Sequence, residues 1–178
     1  MITVKSYDTE EAAEDARQVI GEETVVLSLQ NGLDNIEKIS KIVKPEKTLA
    51  GVTTHAAVFN QPGIITHTGV GYTIIGSFVK KTLSIVENIA NVFNNAGITT
   101  KTTGDIKSEI WAKAIINSSI NPLTSLFQCK NGYLLENPIL EKIVEKICTE
   151  STKVAEKEGM CFSHHETVSY THLRAHET

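Results

Sequence analysis

No excess of basic charge, no long apolar run and no paired cysteines occur in this chain of 178 residues. Lys plus Arg number 17 against 21 Asp plus Glu, a net charge of -4, so there is no electrostatic footprint for a phosphate backbone and no nucleic-acid partner is expected. No stretch approaches the roughly 18 uncharged apolar residues that a membrane span needs. The opening MITVKSYDTEEAAEDA lacks the basic start, apolar run and small-residue cleavage site of a signal peptide, so the expectation is a cytoplasmic protein without a membrane partner. Cys129, Cys148 and Cys161 are odd in number and widely spaced, with no CxxC pair and no histidine at zinc-ligand spacing, which points to reduced thiols and no metal site. Aromatic residues are scarce at 6%, yet hydrophobic residues make up 40%, enough for a core and too many for disorder. The length fits about one domain of ~100–200 residues, or one domain and part of another.

What is present alternates. ITVK is a short β-rich run, and YDTEEAAEDARQVI reads as a helix with Asp8 or Thr9 at its N-cap and Gly21 as its stop. TVVLSLQ (24–30) is nearly continuous in apolar and β-branched residues, the pattern of a strand covered on both faces. It breaks at Asn31-Gly32, and LDNIEKISKIV then puts Leu33, Ile36, Ile39 and Val43 at helical spacing before Pro45. TLAGVTTHAAVF (48–59) is again β-like, so the first sixty residues predict an α/β Rossmann-like domain, a parallel sheet with helices packed on it. Past the turn at Gln61-Pro62-Gly63, IITHTG and YTIIGS are expected to form an antiparallel pair around Gly69-Val70-Gly71. A helix from about Thr82 to Ala96, with Val86, Ile89 and Phe93 on one side, and a strand ITTKTT complete that part. Beyond Gly104 only helices are predicted: Asp105 to about Ile120, a short piece after Pro122, and Pro138 to Glu158. The expected domains are therefore 1–104, α/β, and 105–162, the start of an all-α domain, with a tail at 163–178.

The helix IWAKAIINSSI is apolar almost all round and should be buried on most sides. At about 100° per residue, Lys113, Asn117 and Asn121 lie one above another within an arc of roughly 80°. Such groups need partners, water or a ligand. One reading is a ligand-lining face, with Lys113 giving a proton to a carbonyl oxygen, work that suits a lysine in a dry setting. The other is a polar seam satisfied by neighbouring backbone, or a lysine whose stem lies along the surface. Asn31 and Lys5 follow strands at their carboxyl ends, the edge where open α/β sheets bind ligands, and Thr53, Thr54, His55, Ala56 and Ala57 follow a third. For each, a plain turn, a solvated lysine or a structural histidine is the competing reading. Gly69, Gly71 and Gly76 form no GxGxxG loop ahead of a helix, no serine sits in a nucleophile elbow, and no carboxylates pair on an apolar face.

LSLQNGLDN, AGVTTHAAV and above all EIWAKAIINSSINPLTSLFQCKNGYL resemble the ketopantoate reductase family over about residues 1–162. The resemblance implies reduction of 2-dehydropantoate, a small 2-oxo acid, to pantoate with NADPH, on the way to pantothenate and coenzyme A. It also implies a lysine general acid in an interdomain cleft and a homodimer of the full-length enzyme. Carried over by position, the catalytic lysine is Lys113 and the substrate-binding asparagines are Asn117, Asn121 and Asn131. The residues toward the NADP are Lys5, Asn31 and, through its backbone, Ala57. A related reductase of another 2-oxo acid, or a non-catalytic module, are the competing functions. The family's nucleotide loop and its later helices have no counterpart here, and VSYTHLRAHET (168–178) fits no helix of the family and reads as foreign to it. The expectation is a fragment that by itself binds NADPH weakly or not at all. A spectrophotometric assay of the isolated chain should show little ketopantoate-dependent NADPH oxidation, and a normal turnover would refute the fragment reading.

Overall fold

A computed structural model describes residues 1–79 and 82–162. The expected tail at 163–178, including the stretch read as foreign, lies outside the described residues. Among them, the chain divides into one compact unit, Met1–Ile110, and a second that begins at Trp111.

The first unit is built on strands β1 (Val26–Ser28), β2 (Thr48–Thr53), β5 (Thr73–Gly76) and β6 (Thr100–Thr103), in the order β1-β2-β5-β6. Residues of β1 alternate between the faces, and both faces are covered. Val26 packs with Ile2, Ala13, Ile39 and Val43, whereas Leu27 packs with Leu49, Ile75 and Val86. Both are 5% exposed, and burying each contributes about 1.5–3 kcal/mol. Helices α1 (Thr9–Ala16) and α2 (Asn35–Ile42) supply Ala13 and Ile39, and α3 (Leu83–Asn95) supplies Val86. Helix α3 stops where Gly97 takes φ 82°.

ITVK is reduced to one bridged residue: Ile2 lies parallel to Ser28, donating from its N–H to the Leu27 carbonyl at 2.8 Å. The sheet is parallel at β1/β2 and β5/β6, with one antiparallel join at β2/β5. That join follows from the connection, because between β2 and β5 the chain makes only a hairpin, β3 (Ala56–Gln61) with β4 (Ile64–Gly69), and no crossover helix. Here the expected pairing of IITHTG with YTIIGS is corrected. IITHTG pairs with β3 because Gly63, at φ 82°, reverses the chain at once after Pro62, while YTIIGS lies between β2 and β6.

The hairpin is held to the sheet at a narrow neck. The Thr54 N–H donates to the Tyr72 carbonyl at 2.9 Å, the Tyr72 N–H donates to Thr54 Oγ1 at 2.9 Å, and the Gly71 N–H donates to His55 Nδ1 at 3.2 Å. A two-stranded hairpin is marginal alone. Phe59 and Ile65, opposite one another, remain 67% and 71% exposed, so the neck rather than a packed face anchors it.

The second unit contains most of α4 (Ile106–Phe127), then α5 (Asn131–Glu136) and α6 (Pro138–Lys157). Its core joins Ile115, Ile116, Ile120 and Leu123 of α4 to Leu134 of α5 and Leu140, Val144, Cys148 and Ala155 of α6. The break expected at Asn121-Pro122 is absent, and Pro122 lies inside α4. A mid-helix proline costs ~3 kcal/mol, and the apolar row that continues through Ile116, Ile120 and Leu123 into this core offsets it. Asn137 caps α6, its Oδ1 accepting from the N–H groups of Ile139 at 3.0 Å and Leu140 at 3.3 Å. Ile139 is 72% exposed, while Ile143 and Ile147 pack against the core.

Gly71 has no room for a side chain, since a Cβ there would stand 2.6 Å from the Thr54 carbonyl carbon. Gly71→Ala should therefore lower the unfolding free energy by about 1–3 kcal/mol. Gly104→Ala, where a Cβ meets nothing within 4 Å among the described residues, should be neutral or slightly stabilising. Urea titrations of the two variants check this, and equal midpoints would contradict the tight neck.

Candidate functional site

Three consecutive chain segments run parallel, Ile2 beside β1 and β1 beside β2, so their carboxyl ends meet one edge of the sheet. Lys5 follows the first, Asn31 the second and Ala57 the third. Lys5 is exposed and precedes a short 3-10 turn, Ser6–Asp8, its carbonyl accepting from the Asp8 N–H at 2.9 Å. Asn31 is exposed too, in the turn before α2 where Gly32 takes φ 119°, a conformation that favours glycine. Ala57 stands on the hairpin, opposite His67.

A set of side chains that the sequence did not mark as part of a site joins the first two of these segments. Gln30 Nε2 donates to the Val4 carbonyl at 2.8 Å and to Thr9 Oγ1 at 2.8 Å. The Thr9 hydroxyl in turn donates to Asn35 Oδ1 at 2.9 Å, with the Ser6 carbonyl a second acceptor at 3.0 Å. Asn35 Nδ2 donates to the Asn31 carbonyl at 2.9 Å, and Ser28 Oγ donates to Gln30 Oε1 at 3.0 Å. Thr9, Ser28 and Asn35 are buried at 0%, 3% and 3% exposure. The signal that could have found them is polarity in the wrong place: Ser28 inside a buried strand, and Asn35 on the inner face of α2 beside Ile36 and Ile39.

At the neck, the Gly71 N–H donation makes His55 Nδ1 an acceptor, and His67 Nε2 lies 3.1 Å from the same atom. His55 Nε2 is buried and has no hydrogen-bond partner among the described residues. This histidine therefore serves the join between hairpin and sheet.

In the second unit, α4 keeps Lys113, Asn117 and Asn121 on one face because it is unbroken through Pro122. The helix is less enclosed than its composition suggests: Lys113 and Asn117 are half-buried and Asn121 is exposed, while Ile115, Ile116, Ser119 and Ile120 are buried. Asn131 opens α5 and is half-buried. No group of three or more His, Cys, Asp or Glu that could hold a metal ion occurs among the described residues, and no helix among them is long and apolar enough to cross a membrane.

Two carboxylates depart from their ordinary range. The Lys38 ammonium, 2.8 Å from Asp34, holds that carboxyl down, partly opposed by desolvation. Burial pushes the half-buried Glu109 carboxyl up, and the like charge of Asp105 adds to it.

Residues 1–80 match the family described as ketopantoate reductase PanE/ApbA, and residues 105–178 match its C-terminal part, ketopantoate reductase PanE/ApbA C terminal. The 2-dehydropantoate 2-reductase of Pyrococcus abyssi is 40% identical over 162 residues, 91% of this chain and 53% of the relative. The chain thus spans about half the length of the curated relatives it matches. Among solved structures, the 2-dehydropantoate 2-reductase of Geobacter metallireducens aligns with a TM-score of 0.87 at 27% identity, covering 96% of this chain and 58% of that one. A D-mandelate dehydrogenase in complex with NADH aligns with a TM-score of 0.90 at 24% identity, over 95% of this chain and 56% of that one, a likeness of fold.

Because the folded chain holds a proton on Glu109 more tightly than the unfolded chain does, this group favours folding below its ordinary range, and that contribution is lost as pH rises through the raised value. Glu109→Gln should therefore gain stability relative to the parent as pH rises from acid toward neutral. Urea unfolding at a series of pH values checks this, and a parent that gains stability relative to Glu109→Gln with rising pH would contradict it.

Proposed function

Because the chain belongs to the ketopantoate reductase family, we propose that it carries the proton donor and substrate amides of an NADPH-dependent 2-dehydropantoate 2-reductase. The observation that carries the proposal is the single face of α4 bearing Lys113, Asn117 and Asn121, in a chain 38–40% identical to curated 2-dehydropantoate 2-reductases.

The donors present fit a nicotinamide dinucleotide: an exposed ammonium, Lys5, and an exposed amide, Asn31, at the carboxyl edge of parallel segments, with their loops tied together by Gln30, Thr9 and Asn35. The likeness to a dehydrogenase solved with NADH supports the same class of cofactor. When bound, the reduced nicotinamide supplies hydride to the C2 carbonyl carbon. Lys113 as the ammonium gives its proton to the ketone oxygen as that oxygen gains charge, so the product is the neutral hydroxyl and the lysine is left to regain a proton from water. Asn117, Asn121 and Asn131 hold the acid by amide hydrogen bonds, each able both to donate and to accept. Lys5 and Asn31 bind the cofactor, with the Ala57 main chain beside it. A homodimer of the longer enzyme rests on the family resemblance alone, and a cytoplasmic location rests on the chain's composition.

The test is Lys113→Ala in the completed enzyme, this chain joined to the flanking segments that its relatives carry. Removing a general acid should lower kcat about 10²- to 10⁴-fold, while NADPH affinity, read by fluorescence titration, stays within about twofold of the parent. An unchanged kcat would defeat the assignment.

A further inference from the structure

The hydrogen-bonded set at the sheet edge ends on three main-chain oxygens, and their identity is informative. Val4 and Ser6 flank Lys5 on either side, and the third is the carbonyl of Asn31 itself. The set thus ends on the two segments that bear the exposed ammonium and the exposed amide. Its direction is set by chemistry. Gln30 Nε2 has two hydrogens and spends them on the Val4 carbonyl and Thr9 Oγ1; Thr9 has one, which it directs toward Asn35 Oδ1 or the Ser6 carbonyl; Asn35 then has only its amide hydrogens left for Asn31. Gln30, Thr9 and Asn35 thus form one connected set that reaches both segments. Gly32 adds a steric stop, since a Cβ there would come within 3.1 Å of Asn35 Nδ2 and 3.7 Å of Ser6 Cβ.

We propose that Gln30, Thr9 and Asn35 are positioning residues that set the spacing between Lys5 and Asn31, and thereby the affinity for the dinucleotide. This rests on the reading of Lys5 and Asn31 as cofactor contacts. The three do not touch the cofactor. They hold the two loops in register before it arrives, so the binding free energy is not spent on ordering them. Breaking the relay leaves buried amide groups unpaired, and the loops must then move to find water or other partners.

The experiment uses the completed enzyme and four variants, with NADPH affinity measured directly by fluorescence titration alongside kcat and KM. Thr9→Val keeps the shape and removes the hydroxyl, Gln30→Met removes both amide donors, Thr9→Ser restores the hydroxyl, and Asn31→Ala tests the underlying reading. Thr9→Val and Gln30→Met should each weaken NADPH binding about tenfold or more and raise its KM, with kcat at saturating NADPH within about threefold and Thr9→Ser close to the parent. If Asn31→Ala weakens binding but Thr9→Val and Gln30→Met stay within twofold, the positioning role is overturned while the cofactor reading stands. If Asn31→Ala is also without effect, the cofactor reading falls and this inference with it. Should Thr9→Val fail to fold, Gln30→Met decides, and a Gln30→Met chain that also fails to fold overturns the proposal in favour of a purely structural network.

Discussion

A polar side chain inside a protein must find a partner or cost about 1–3 kcal/mol, and at the carboxyl edge of this sheet that constraint fixes how two loops lie. Thr9 at the start of α1, Ser28 at the end of β1 and Asn35 at the start of α2 are all buried, and they are satisfied by one another, by Gln30 and by backbone carbonyls. The apolar clusters on the two faces of β1 hold the helices against the sheet. The polar set holds the helix starts against the strand ends, where ligands of open α/β sheets are received. Packing thus builds the platform, and hydrogen bonding decides where Lys5 and Asn31 stand on it.

Much of this was legible in the residues. The unbroken apolar run around Val26 and Leu27 announced a strand covered on both faces, and Gly97 announced the end of α3. The polar face of α4 was also readable, because four-residue spacing survives any uncertainty about where a helix ends. Pairing was harder to read. IITHTG and YTIIGS are near in sequence and both β-like, yet the reversal at Pro62-Gly63 captures IITHTG for β3 before YTIIGS is reached. Pro122 misled for a related reason: the local rule for proline is real, but Leu123 lies in the helical core one residue later and burial outweighs it. The network was harder to read, because threonine, glutamine and asparagine are ordinary turn residues until their depth is known and only Ser28 in a buried strand and Asn35 beside Ile36 hinted at it.

The two units contribute different chemistry. In the proposed function the first supplies the donors for the dinucleotide at a sheet edge, and the second an ammonium and amides along one helix for the 2-oxo acid. The hairpin is anchored by backbone at Thr54 and Gly71 and by the pair His55 and His67, so the segment carrying Ala57 is tied to the end of β2 despite its exposed faces. A chain covering about half of its relatives can thus keep the local architecture of both regions.

The proposed function makes these residues part of a reductase of a 2-oxo acid. Its most direct test is to supply the completed enzyme with NADPH and 2-dehydropantoate and to follow both nicotinamide oxidation and the product. NADPH oxidation should depend on the 2-oxo acid and yield pantoate in equal amount. No oxidation above the rate without enzyme, for 2-dehydropantoate or any other 2-oxo acid, would contradict it.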